Sequence, residues 1–538
     1  MQISNHFNLF GILCQACLAR IDASIAIRAV LFFRWASWDG RGYTTHAPNP
    51  IVQGHFTVLR KWVPVAHNAR PDTNQPENKL HEGLKDQSCR TMMAALQKQG
   101  ELLIVDEEID PVYDLSALLS LTHETHAVRI NKVKGSAFPV FGNLLSSLDR
   151  IALALDVPRA SIQSTLLASV QKPVAPVVVE NAPVQQQRFE EGVLARLPVP
   201  TFFDKETGPY ISAGMMIARD PETGLGNASY ARLKILSPTE ALIGIAPNHH
   251  LAIMARKAAD KGEALPFAVV LGAHPAIQLA ACLYLGLGDD EMHCAGALLG
   301  EPVRMARCYN SDILVPSDAE IVIEGHIHAN TPIVEGLVSE YHGMYEDYGS
   351  GVLATFESMS ARKDAMFQVI LPGYHAEHIY IAAVPIAVSL KAQLARVIMN
   401  VGEVAVTASG CGRTDVVVQI DKPRPGQARR AMAICWGAVS IVKSVTIVDT
   451  DVDPWDINAV ELAKSTRMRV DRDILIIPGM PADRSEPQEE AGMVAKIGYD
   501  ATCKAGDRKE GYDKALPPEA SYERMRRVIA AIKPEGAV

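Results

Sequence analysis

The chain has 538 residues, too many for one ordinary hydrophobic core, so two or three domains are expected. Its net charge is -9, with 48% hydrophobic and 21% charged residues, which fits a globular protein and argues against nucleic-acid binding. Nine irregularly spaced cysteines argue against a disulfide framework, and a reducing cytoplasm is the expected compartment.

Residues 1–87 read as an atypical or poorly ordered extension, rich in Pro, Asn and His in its second half; initiation near Met92 would account for it. Within it Cys14–Cys17 is an isolated CxxC, more simply a chance spacing than a zinc or redox motif. The apolar run Leu9–Phe33 carries Arg20, Asp22 and Arg28, which make a membrane span costly, and no basic segment precedes it as in a signal peptide. No membrane partner is expected.

An N-terminal α/β domain is expected over 88–196. MAALQKQGELLIVDEEIDP predicts a short helix stopped at Gly100 and then a strand. LSALLSLTHETHAVRI predicts a helix, SAFPVFGNLL a strand and turn, and the proline-punctuated KPVAPVVVENAPVQQQ an extended connector. Residues 197–390 are mainly β. PYISAGMMIARD, ASYARLKIL, ALIGIAP, FAVVLGA, EIVIEGHI and MFQVILPG are short strand runs, with helices at HLAIMARKAADKG and PAIQLAACLYLG, which suits a barrel or closed sheet. Residues 391–538 return to alternating α and β, ending in the basic amphipathic helix ASYERMRRVIAAIK. The fold class expected is mixed α/β (α+β).

Several residues could carry chemistry. In GNASYARLKI a regular strand puts Asn227, Ser229 and Ala231 on one face and Tyr230 and Arg232 on the other, unless a bulge or turn near Gly226 reunites them. His249 and His250 open a helix, and Asp289, Asp290 and Glu291 precede another, where acidic residues already favour the helix dipole. Asn, His and carboxylate together suit Mn²⁺, Mg²⁺ or Fe²⁺. VEGLVSEYHG holds Glu335 and Glu340, which on their own read as a solvated loop. P-loop, GxGxxG, HExxH and GxSxG motifs are absent, so a Rossmann oxidoreductase and a serine hydrolase lose ground.

In combination these segments resemble the UbiD family of reversible (de)carboxylases, which use prenylated FMN. LPVPTFFDKETGPYISAGMMIARDPETGLGNASYAR, LPFAVVLGAHPA, CAGALLGEPV, LVPSDAEIVIEG, VEGLVSEYHG and VTIVDTDVDPWD stand in family order from about Met93 to beyond Arg467. The resemblance implies a central split β-barrel flavin-binding domain and a C-terminal α/β oligomerisation domain supporting a homodimer or homohexamer. It implies Asn227, His250 and Glu291 as metal ligands, with His249 the fallback, and Ser229, Tyr230, Ala231, Arg232, His249, Cys282 and Lys443 as further cofactor contacts. Ala281 and Cys282 replace the hydroxyl side chains of many relatives, which puts a side-chain ligand for K⁺ in doubt.

The implied reaction is decarboxylation of an aromatic, heteroaromatic or α,β-unsaturated acid through a covalent adduct with prenylated FMN, supplied by a flavin prenyltransferase. Arg232 would hold the substrate carboxylate, Glu335 would pair with Arg232, and Glu340 would deliver the proton with a raised pKa. Gly336 and Gly343 would let its loop move, and His342 lies close enough to assist, with packing the simpler role. The rival readings are a two-carboxylate hydrolase and a flavin-storage protein without catalysis.

Overall fold

A computed structural model describes residues 85–504, Tyr512 and 515–532; Cys14–Cys17 and the extension up to Leu84 lie outside it. The chain enters through the helix Arg90–Gln99, which ends at Gly100 in the left-handed region, φ 74°, where glycine costs least. Next come the strand Leu102–Ile109, the helix Asp114–Thr122 and the strand Ala127–Val133. The expected helix through LSALLSLTHETHAVRI is therefore half strand, because β-branched Val128 and Ile130 are buried in the sheet. The proline-rich connector holds only the two-residue strand Val177–Val178 and a short 3₁₀ turn.

The N-terminal sheet has four strands, in the order Leu102–Ile109, Ala127–Val133, Val140–Gly142, Phe367–Gln368. Its last strand comes from far down the chain, while Gln187–Phe189 pairs with the central strand Ser350–Ala361. Strand exchange thus blurs the expected boundary at 196.

The central sheet has nine strands, and its topology sets the site. Gly226–Tyr230 lies at one end of the strand order and Arg232–Ser237 next to the other end, yet only Ala231 links them. A sheet whose ends are joined by one residue must curl until those ends meet. The break that reunites Asn227 with Arg232 therefore falls at Ala231, not near Gly226.

Two long strands, Ile321–Val334 and Ser350–Ala361, form the antiparallel backbone of this sheet. The second carries Thr, Glu and Ser between its apolar residues and reads weakly as a strand in isolation.

The helix Ala376–Ala395 is long and apolar enough to span a membrane by length, but it lies between two cores. Ile381, Val384 and Val388 pack into the large core, and Ala383, Ile386, Ala387, Leu390 and Leu394 into that of the C-terminal region. The expected boundary at 390 falls inside it. Its first turn is fixed by Glu377, fully enclosed, which accepts from the backbone N–H groups of Asn143 at 2.7 Å and Leu145 at 2.9 Å. The C-terminal sheet has five strands, ordered Val401–Val406, Asp415–Ile420, Ser444–Val448, Met493–Asp500, Ile474–Pro481. The seven cysteines among the described residues are unpaired.

At the bulge between Glu324 and Gly325, a Cβ on Gly325 would lie 2.0 Å from the Thr355 carbonyl oxygen. Gly325→Ala is expected to destabilise the protein by about 1–3 kcal/mol, read as a lower midpoint in denaturant. An unchanged midpoint would contradict this close approach.

Candidate active site

Asn227, His250 and Glu291 come from three elements. Asn227 is on the strand Gly226–Tyr230, and His250 and Glu291 open the helices His250–Asp260 and Glu291–Leu299. His250 Nδ1 lies 3.2 Å from Asn227 Oδ1, and Glu291 Oε2 accepts from the Ala228 backbone N–H at 2.8 Å. The Ser229 hydroxyl accepts from the Asn227 amide nitrogen at 3.3 Å, which leaves the amide oxygen for His250. Burial pushes the Glu291 carboxyl up to about 7, against the lowering effect of backbone N–H donors.

A buried carboxylate that forms no ion pair among the described residues, beside an amide oxygen and an imidazole, fits a hard or borderline divalent cation. Because the third donor is an amide, no trio of His, Cys, Asp and Glu gathers among the described residues.

The neighbours divide cleanly. His249 is exposed and makes no hydrogen bond to Asn227. Asp290 caps the Glu291 helix by accepting from Met292 N–H at 2.8 Å, and Asp289 accepts from Gly286 N–H at 3.0 Å. Burial first, and the Cys282 thiol second, raise the Tyr230 phenol well above its ordinary pKa, and Cys282 itself is half-buried. Lys443 is engaged in the C-terminal region, its Nζ donating to Glu486 Oε1 at 2.7 Å, and is not drawn into the Asn227 cluster.

At the other side of Ala231, Arg232 forms a bidentate pair with Glu335. Its Nε and Nη2 donate to Oε1 and Oε2, both at 2.6 Å. Burial disfavours the guanidinium charge, but the Glu335 carboxylate outweighs it and holds the Arg232 pKa up. Gly244 makes room: a Cβ there would lie 2.9 Å from the guanidinium. The Glu335 carbonyl accepts from Lys234 Nζ at 2.5 Å and from the Thr207 hydroxyl at 3.0 Å. A carboxylate held this way is not free to act as a hydrolase base.

VEGLVSEYHG is a hairpin, not a loose loop. Leu337–Ser339 pairs with Tyr345–Asp347, and Glu340 starts the turn closed by Gly343 N–H donating to the Glu340 carbonyl at 2.8 Å. Gly336, ahead of the first strand, and Gly343, closing the turn, have φ of 79° and 77°, the left-handed region where glycine costs least. Glu206 fixes the first strand, accepting from the Ser339 hydroxyl at 3.0 Å. His342 accepts from Met344 N–H at 3.1 Å within the turn, a local packing role.

Glu340 Oε2 accepts from the Tyr348 hydroxyl and Oε1 from the Tyr341 N–H at 3.0 Å. Burial alone would raise its pKa, but the Tyr348 hydrogen bond and the charges of Arg232 and Arg413 hold it below the usual carboxylate range. The expectation of a raised pKa is therefore corrected. The expected desolvation of Glu340 is present, but the Tyr348 hydrogen bond and the Arg232 and Arg413 charges outweigh it.

Profiles of the 3-octaprenyl-4-hydroxybenzoate carboxy-lyase match the chain in three blocks: the N-terminal domain at residues 93–170, the Rift-related domain at 176–375 and the C-terminal domain at 379–501. The chain belongs to the UbiD family. UbiD relatives include the anhydromevalonate phosphate decarboxylase of Methanosarcina mazei, 32% identical, covering 80% of this chain and 99% of the relative. The UbiD-class enzyme HmfF from Pelotomaculum thermopropionicum, solved with FMN, is 32% identical with a TM-score of 0.79, covering 82% of this chain and 99% of that one. The 3,4-dihydroxybenzoic acid decarboxylase AroY of Klebsiella pneumoniae is 26% identical with a TM-score of 0.75, covering 80% and 97%. As a UbiD member the chain is a carboxy-lyase.

Tyr348, Lys234, Glu206, His378, Arg413 and Arg484 escaped the sequence reading. Lys234 shares a strand face with Arg232, a pattern that could have been found. Arg413 and Arg484 belong to the C-terminal region, and nothing local ties them to Glu340. Arg413 Nη2 lies 3.1 Å from His378 Nε2, and its guanidinium is 4.9 Å from the Tyr341 ring centre.

If the Asn227 cluster holds a divalent cation, Mn²⁺ should bind tightly to the purified protein and be detected as bound ion by electron paramagnetic resonance. Glu291→Ala should abolish that signal and His250→Ala should weaken binding at least ~10-fold. Equal binding by wild type and both variants would exclude these ligands.

Proposed function

We propose that the chain catalyses the reversible, non-oxidative decarboxylation of an aromatic, heteroaromatic or α,β-unsaturated carboxylic acid. The cofactor is prenylated FMN, held in part through a divalent cation, Mn²⁺ or else Mg²⁺ or Fe²⁺, on Asn227, His250 and Glu291. Support comes from family membership, from relatives named as decarboxylases and from UbiD-class structures with FMN or prenylated FMN. The observation that carries the reading is the buried Arg232–Glu335 pair with Glu340 beside it.

When CO₂ leaves an sp² carbon, carbanion character needs an electron sink, which the modified flavin supplies when bound. The protein's part is recognition and proton handling. Arg232 keeps its Nη1 free of the Glu335 pair and offers it to a substrate carboxylate. Glu335 keeps that guanidinium charged and fixed. Glu340 delivers the proton that replaces CO₂, after gaining one at its ionised carboxylate. The same residues run the reverse direction when bicarbonate is abundant.

An evolved form of the relative HmfF is dimeric, which supports self-association here. The helix Glu519–Ala531 buries no residue within the chain and exposes Met525, Val528 and Ile529, which a second copy would cover.

Co-expression with a flavin prenyltransferase should yield a coloured protein that releases CO₂ from at least one member of a panel of conjugated acids. Protein that stays flavin-free sinks the reading; bound flavin without CO₂ release or exchange favours storage. Glu340→Gln should retain flavin and metal while losing about 10²–10⁴-fold in turnover and in solvent proton exchange at the substrate carbon. Wild-type turnover in that variant would remove Glu340 from its role.

A further inference from the structure

One side chain in contact with Glu340 has no task in the reaction as outlined. Tyr348 lies just beyond the second hairpin strand, and its hydroxyl donates to Glu340 Oε2. Its ring also carries two guanidiniums, with Arg232 5.1 Å and Arg484 4.0 Å from the ring centre. Arg484 comes from the C-terminal region, on the segment whose Ser485 lies beside the Tyr341 and Tyr348 phenols. One phenol thus touches the proton-handling carboxylate, the carboxylate-binding arginine and a second region of the fold.

We propose that Tyr348 is the positioning residue for Glu340, its hydroxyl fixing the orientation of that carboxylate and its ring seating it between Arg232 and Arg484. The proposal deepens the decarboxylase reading and rests on Glu340 as the proton donor. A carboxylate on a flexible stem is aimed only when both oxygens are engaged. The Tyr341 N–H, which holds Oε1, belongs to the turn itself and stays in any side-chain variant. The Tyr348 hydroxyl is the engagement that the side chain adds.

The other groups facing Glu340 are Arg232, Arg413 and His378. Burial and the Arg413 charge lower the His378 pKa to about 4, so near neutral pH it faces Glu340 uncharged. Burial, with Glu340 beside it, raises the Tyr348 pKa, so the phenol keeps its proton and acts as a hydrogen-bond donor.

A hydrogen bond donated to a carboxylate favours its ionised form. Removing it raises the pKa of Glu340. A general acid works while protonated, so activity falls as pH rises through that pKa, and a raised pKa moves this falling limb to higher pH. In the cofactor-loaded enzyme Tyr348→Phe should leave flavin absorbance and loading unchanged and lower kcat roughly 10–10²-fold. KM should change little, and the falling limb of kcat set by Glu340, which lies in the acid range because this carboxyl is held below the usual carboxylate range, should move up by about one pH unit. A fall in kcat with an unmoved limb, or no change in either, overturns the proposal.

A second readout needs no turnover. The Glu340 carboxyl band, assigned by infrared difference against Glu340→Gln, should titrate about one pH unit higher in Tyr348→Phe. An unmoved band overturns the positioning role even if CO₂ release is found. A moved band with no CO₂ chemistry on any acid leaves the positioning of Glu340 standing and defeats the decarboxylase reading. Tyr348→Leu, which also removes the ring, guards against misreading a folding defect: it should reproduce the band shift if the hydroxyl is responsible, and a band left in place rejects the proposal.

Discussion

Glu335 is 1% exposed, and a carboxylate at that depth persists only if its charge and both oxygens are answered. Arg232 answers them with two parallel hydrogen bonds, and Lys234 and Thr207 hold the carbonyl of the same residue. Removing one partner from such a pair costs about 3–5 kcal/mol, because the remaining charge is left buried and uncompensated. The pair therefore fixes the start of the hairpin on which Glu340 sits. It also fixes the guanidinium against Gly244, where no side chain stands in the way.

The curl of the central sheet gives the site its two electrostatic ends. On one side of Ala231, Asn227 and His250 lie near the Glu291 carboxyl, which burial pushes up to about 7. On the other, Arg232 and Arg413 surround a carboxylate held in its ionised form. Six residues of chain, Asn227 to Arg232, connect a place suited to a metal with a place suited to an acid. The C-terminal region contributes as well, because Arg413 and Arg484 lie over the aromatic rings of the hairpin. The proton chemistry is thus not a property of the central sheet alone.

The elements were legible where local chemistry decides them. Gly100 stops the helix Arg90–Gln99 where the sequence places its end. The ends of the central sheet were not legible, since a two-residue periodicity cannot show that Tyr230 and Arg232 belong to strands far apart in the sheet order. The expected boundary at 390 falls inside the helix Ala376–Ala395, which is apolar on both sides and serves two cores at once. Arg232, Glu335 and Glu340 came from the resemblance, and the structure brings these three together. The pKa of Glu340 is lowered, not raised, because burial was foreseen while the Tyr348 hydrogen bond, the largest lowering effect, and the more distant Arg413 charge were not.

The central claim is that Arg232 and Glu335 act as one unit on the substrate carboxylate. Exchange of labelled bicarbonate into that carboxylate should be measured for wild type, Arg232→Ala, Glu335→Gln and the double variant, all loaded with cofactor. If the account is right, each single variant loses nearly as much exchange as the double, as expected for residues that cannot work apart. Losses that add independently, or near-normal exchange in Glu335→Gln, would contradict it.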